Sequence, residues 1–221
     1  MKMLNKSKTE LLVTIAVILL SMLLFAIVSH KGIFQEVVIS VAFLFLLPYF
    51  YIKNVLKESL INFGFRMPKK DNKKGDLFIF FASILIVSSI FYLLNDKFDF
   101  SDKYFITKTI LKKHFLYFIL YELVWVNFFV LLYEFFFRGF IMFYFSSFSK
   151  KVGGYAIFIQ FLFFILFLDL ANQLNASFLY YIIIAPFAGL IAYRTESLLY
   201  SYFFSIISMV IGDIIALKVT N

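Results

Sequence analysis

The stretch LYEFFFRGFIM, Leu132 to Met142, sets a glutamate and an arginine, Glu134 and Arg138, four residues apart in an otherwise apolar run. At i and i+4 on a helix the two side chains share a face and can pair. The flanks are equally apolar, NFFVLLY (Asn127 to Tyr133) before and FIMFYF (Phe140 to Phe145) after. A charge in hydrocarbon costs roughly 2.5–3.5 kcal/mol on insertion scales. Two such charges survive by pairing or by lining a polar cavity. The pair therefore marks either a functional site or a salt bridge that locks helices together.

Working outward, the rest of the chain belongs in a membrane. Its 221 residues are 63% hydrophobic and 22% aromatic, with a mean hydropathy of +0.93. Soluble domains run nearer 45–50% apolar, and 34 phenylalanines exceed what one water-soluble core needs. No cysteine is present, which removes disulfides, thiolate nucleophiles and thiolate metal sites. The net charge of +8 is compatible with nucleic acid, but the cations cluster between apolar runs, where loops meet anionic headgroups. The expected partner is the lipid bilayer, not nucleic acid. The basic start, Met1 to Thr9, leads into an apolar run long enough to span, without a small-residue cleavage site.

Runs of roughly 17–25 residues give seven candidate spans. They cover Glu10–Val28, Phe34–Ile52, Leu77–Leu94, Phe115–Phe145, Tyr155–Leu170, Phe178–Tyr193 and Leu198–Leu217. The fourth is over-long and carries Glu122 and Asn127, which predicts tilt, a kink or a part outside the bilayer. The fifth and sixth are short for full spans. With the N-terminus inside, thirteen cations fall in the cytoplasmic segments and seven in the others, so the loop charge favours a cytoplasmic N-terminus. The chain reads as one transmembrane domain, 1–221, without repeats. The loop INFGFRMPKK (Ile61–Lys70) reads as a solvated connection that fixes topology, with a docking surface as the alternative. Gly153-Gly154 reads as the turn between the fourth and fifth spans, and Asp213 as a headgroup-level residue near the chain end. Tyr121, Glu122 and Trp125 read first as an interfacial aromatic belt.

Three segments together resemble the CPBP family of membrane proteins, also called the Abi or type II CAAX-protease-like family. LYEFFFRGFIM resembles the family's Glu-Glu-x-x-x-Arg helix followed by Gly. AIFIQFLFFILFLDL (Ala156–Leu170) stands where the family has a Phe-x-x-x-His helix. AGLIAYRTESLLYSYFFSIISM (Ala188–Met209) is similar to its Gly-containing helix, Arg-Thr-x-Ser-Leu turn and last His-x-x-x-Asn helix. The loop INFGFRMPKK resembles the Phe-Gly-x-Arg stretch that often precedes the core. The similarity covers roughly Ile61 to Met209. It implies an all-α bundle with a CPBP-like core over 61–217, preceded by accessory helices in 1–60.

The resemblance also implies a water-activating intramembrane site, in which a glutamate is the general base and histidines and an asparagine organise a metal or the oxyanion. Here Glu134 matches the second glutamate and Arg138 the arginine, while Tyr133 replaces the first glutamate. Phe164 matches the Phe of the second motif, but its histidine position falls on Leu168, with Asp169 about 100° away on a helix. The last histidine position falls on Ser205 and its partner on Met209.

The two histidines, His30 and His114, are remote in sequence from Glu134. Zinc favours His and Cys ligands, and Glu122 and Glu134 stand about 18 Å apart along a straight helix. No metal or other cofactor is expected. A metal-free protease needs burial to tune Glu134 as a base, and a close Arg138 favours the ionised carboxylate instead. The candidate site is Glu134 and Arg138, with Tyr133, Asn127, Gln160 and Ser205 as polar helpers and Asn172 as a further amide. Such groups otherwise bond across helices as packing glue.

The leading expectation is a bacterial inner-membrane, non-catalytic relative of the intramembrane proteases that binds a membrane or secreted polypeptide, in immunity or as a scaffold. The alternative is a working CAAX- or bacteriocin-processing-type endopeptidase using Glu134. A transporter or channel would need polar residues on successive turns of several spans, and the sequence offers few.

Overall fold

A computed structural model describes residues 7–28, 32–67, 73–95, 97, 115–148, 150–174 and 178–219. Seven long helices account for most of them: α1 (Lys8–Ile27), α2 (33–55), α3 (Lys73–Asn95), α4 (115–148), α5 (Lys150–Leu170), α6 (Leu179–Thr195) and α7 (Leu198–Val219). No strand occurs among the described residues. In hydrocarbon a spanning segment must satisfy its own backbone, which helices do internally. Six helices are long and apolar enough to cross a membrane, and α6 is a shorter apolar helix of 17 residues. The chain is a multi-pass α-helical membrane protein.

Its surface has the inverted character that lipid demands. Leu12, Ile27, Phe34, Phe78, Leu85 and Leu116 are each more than 60% exposed, on four different helices. Buried serines and threonines, among them Thr14, Ser21, Ser83 and Ser201, face inward. Between helices in lipid there is no hydrophobic driving force, so close packing and cross-helix hydrogen bonds hold the bundle. The Thr14 hydroxyl shares a hydrogen bond with the Tyr51 hydroxyl at 2.8 Å, joining α1 to α2.

Helix α4 is the axis of the bundle. One side of it packs with α1, α2 and α5, the other with α3, α6 and α7. Every residue from Glu134 to Met142 is buried. Tyr133, Phe137, Phe164 and Phe167 make edge-on and tilted ring contacts at 4.9–6.1 Å between α4 and α5. Each such pair adds about 0.5–1.5 kcal/mol beyond area burial. The apolar part of α4 runs 33 residues. At 1.5 Å per residue that is about 50 Å, against a hydrocarbon core of about 30 Å. Two π-helical stretches, Glu122–Val126 and Glu134–Met142, interrupt it, and the second begins at the glutamate of the opening motif. Such stretches occur often at functional sites.

Three expectations need correction. Gly153 and Gly154 lie inside α5 and are not a turn. A Cβ at Gly153 would stand 3.1 Å from the Ser146 carbonyl oxygen, so glycine there permits a close approach of α5 to the end of α4. Asp213 is not at an exposed headgroup level but 2% exposed within α7, as Glu122 is within α4. The loop after α2 is not simply solvated. Its 3₁₀ turn Leu60–Phe63 buries Phe63 against Phe140. His30 and His114 lie outside the described residues.

Candidate functional site

The i,i+4 spacing does bring Glu134 and Arg138 together. An Arg138 guanidinium nitrogen stands 3.7 Å from Oε1 of Glu134, and both residues are 3% exposed. Helix α7 supplies the rest of the carboxylate's partners. Ser205 Oγ donates to Oε1 at 2.6 Å, and Ser201 Oγ donates to Oε2. A buried carboxylate costs several kcal/mol unless its lone pairs are satisfied. Here both oxygens accept a hydroxyl proton, and the guanidinium lies alongside.

Arg138 reaches across to α6, where its Nη2 donates to the Ala185 carbonyl at 3.4 Å. Gln160 on α5 donates to the same carbonyl at 3.1 Å. Pro186 follows directly, inside α6. A proline interrupts the helix ladder, an interruption tolerated in membranes where neighbours satisfy the freed groups. Gly189 makes room for this arrangement: a Cβ there would lie 2.8 Å from Gln160 Nε2. One polar node thus ties α4, α5, α6 and α7.

Among the expected helpers, Ser205 and Gln160 join the node. Tyr133 packs its ring against Phe164, Phe167 and Tyr181 beside it. Asn127 lies elsewhere: its carbonyl oxygen accepts from the Tyr202 hydroxyl, another α4–α7 bond. Asn172 sits in left-handed conformation (φ 53°) past the end of α5 and does not approach. Ser201 is an addition. Its signal is the four-residue spacing of Ser201 and Ser205, which puts both on one face of α7.

Two spaces adjoin Glu134. On one side is an open cleft of about 510 Å³ between α4 and α7, walled by Gly64, Phe65, Met67, Leu131, Phe135, Leu198, Leu199 and Tyr202, with Arg66 at its lip. On the other is an internal void of about 10 Å³ bounded by Tyr133, Arg138, Phe164, Tyr181 and Ser205. That is near the minimum for one water molecule.

No family model, curated protein or solved structure matches this chain.

The metal implied by the resemblance does not fit the groups present. Glu134 is surrounded by two serine hydroxyls and a guanidinium, not by the nitrogen and sulfur ligands zinc takes. Arg138 already supplies the positive charge a cation would bring. Chemically, the node can hold an ionised carboxylate in place and can present it to the floor of an apolar cleft.

Proposed function

We propose that this protein is a non-catalytic, divergent member of the CPBP family that binds another membrane or secreted polypeptide from a bacterial cytoplasmic membrane, its N-terminus inside. The observation that carries this reading is the engagement of both Glu134 oxygens by helix α7. Ser201, Ser205 and Arg138 occupy its two oxygens, so the carboxylate serves as the fastening of α4 to α7. A general base instead points a lone pair at a water it can deprotonate, whereas each Glu134 oxygen is turned to an α7 hydroxyl. The positions where the resemblance calls for histidine hold Leu168 and Ser205. Binding then falls to the apolar cleft, which accepts large aliphatic or aromatic groups of a partner. Immunity to a peptide toxin and scaffolding of an envelope complex are the two roles of this kind.

A second reading, an intramembrane endopeptidase with Glu134 as base, is favoured by one observation: Glu134 borders an open cleft as well as an internal void. One experiment separates the two. The protein carrying a photo-cross-linking residue at Met67, which is 79% exposed at the lip of the cleft, is irradiated in its own membranes, with and without Glu134→Gln. The binding reading expects the same polypeptide adduct, uncut, in both. New termini in that polypeptide that disappear with Glu134→Gln would establish the protease.

A further inference from the structure

The two loop segments that carry the family resemblance, INFGFRMPKK and the Arg-Thr-x-Ser-Leu turn, are far apart in sequence and meet in space. They meet at the cleft, and the manner of their meeting has the parts of a gate.

Residues 64–67 form the loop-side wall of the cleft. They are pinned to the turn between α6 and α7 by four bonds. Arg66 Nε donates to the Glu196 carbonyl at 2.7 Å, and its Nη2 pairs with the Glu196 carboxylate. Ser197 Oγ donates to the Arg66 carbonyl at 2.6 Å. Leu198 N donates to the Gly64 carbonyl at 3.0 Å. Glu196 itself holds a left-handed conformation, φ 51°, which non-glycine residues adopt at a cost.

The wall is buried at one end and exposed further along. Phe63 is buried against Phe140 on α4, and Gly64, at φ 87°, turns the chain beneath Phe143. Beyond it, Phe65 is 45% exposed, with its ring 5.7 Å from Phe135 of the cleft, and Met67 stands clear. The side chains of Arg66 and Glu196 are 28% and 18% exposed, so water reaches the pair. Beside this part-exposed ion pair, the wall is held by Arg66 Nε on the Glu196 carbonyl, Ser197 Oγ on the Arg66 carbonyl and Leu198 N on the Gly64 carbonyl, and Phe65 N donates to the Leu60 carbonyl at 3.2 Å. A pair of that exposure contributes little and can open without disturbing the buried core.

We propose that residues 65–67 are a gate to the cleft, hinged at Gly64 and latched by the bonds of Arg66 to Glu196 and Ser197, and that the polypeptide partner enters by releasing the latch. The proposal rests on the cleft being the binding site. Closed, the gate holds Phe65 against Phe135 and narrows the approach to Glu134. Open, it widens the cleft toward the loop side and leaves the α4–α7 fastening intact.

The natural chain has no cysteine, so a single introduced thiol reports the opening without background. Leu198→Cys places it on the cleft wall beside Gly64, at a position 8% exposed. Its rate of reaction with a small maleimide is measured in membranes, in the otherwise natural chain and with Arg66→Ala, with Glu196→Ala and with the exchange Arg66→Glu/Glu196→Arg. Loss of one part-exposed pair is expected to speed labelling about fivefold, and the exchange to slow it again. Ser83→Cys, a buried position in α3, is the control for general loosening. An unchanged Leu198→Cys rate in both single variants overturns the gate, as does an equal acceleration at Ser83→Cys. If the latch variants speed labelling but leave the Met67 adduct unchanged in amount, the gate stands and the cleft is not where the partner binds.

Discussion

Ser205 Oγ donates to Glu134 Oε1 at 2.6 Å, joining α7 to α4 across 71 residues of chain. Four residues earlier, one turn along α7, Ser201 serves the other oxygen. Two neutral donors from one helix therefore hold a charged acceptor on another. Cross-helix bonds in membranes average about 0.6 kcal/mol and reach about 1.7. A charged acceptor moves these two toward the upper end. Ser201→Ala and Ser205→Ala should each lower the melting temperature in detergent by a few degrees, read from the intrinsic fluorescence of Trp125. The double variant should lose less than the sum, because Arg138 compensates the same carboxylate.

Gly64 predicts a second stability effect, independent of charge. Its φ of 87° is a conformation that side chains rarely adopt, and an added Cβ would meet the Phe143 ring and stand 2.9 Å from Leu198 Cγ. Gly64→Ala should cost about 1–3 kcal/mol, as strained left-handed positions do. Gly154→Ala, where the space beyond is open, should be neutral or mildly stabilising in its helix. A comparison of melting temperatures checks both. Equal effects at the two positions would contradict this account of the Gly64 turn.

Gln160 and Gly189 should be coupled. Gly189→Ala pushes on Gln160 Nε2 and strains its bond to the Ala185 carbonyl. In a double-mutant cycle the cost of Gly189→Ala should fall in a Gln160→Ala background, with an interaction energy of about 0.5–1 kcal/mol, typical of residues in contact. Simple additivity would mean that Gln160 yields freely and that the glycine has another reason.

Charge placement predicts the topology. Arg194 at the end of α6 pairs with Asp76 at the start of α3 at 3.0 Å, which sets those two helix ends on one side of the bundle with the 60–67 segment. That side carries most of the loop cations, so it should face the cytoplasm. A thiol at Lys57 should resist a membrane-impermeant reagent in intact cells, and a thiol at Lys97 should react. The reverse pattern would invert the orientation.

The helical plan was legible because hydrocarbon leaves the chain few choices. Runs of apolar residues must be helices, and the seven expected spans coincide with the seven helices to within a few residues. The node was legible in part. The Glu134–Arg138 spacing and the position of Ser205 pointed to it, because helical periodicity alone places them. Ser201 stands among apolar neighbours, and only its four-residue spacing from Ser205 marks it. The Ala185 carbonyl could not be read, since every residue carries one and only packing selects it. The Arg66–Glu196 pair is likewise beyond sequence: it joins residues 130 apart, and the composition of the loop names no contact within the chain. Gly153 misled because a glycine pair reads as a turn, yet here one glycine serves close helix contact.

If Glu134 and Arg138 form a structural fastening, their charges matter to each other. The direct measurement is the thermal unfolding, in one detergent, of the natural chain, Glu134→Ala, Glu134→Gln, Arg138→Met and the pair Glu134→Met/Arg138→Met. Breaking a buried pair costs about 3–5 kcal/mol, while replacing both members with apolar side chains of similar size is often neutral or better. A fastening predicts a large loss for Glu134→Ala and Arg138→Met, a small loss for Glu134→Gln, which keeps an acceptor for the serines, and substantial recovery in the double-methionine variant. Single variants as stable as the natural chain would contradict it and would return Glu134 to the candidates for catalysis.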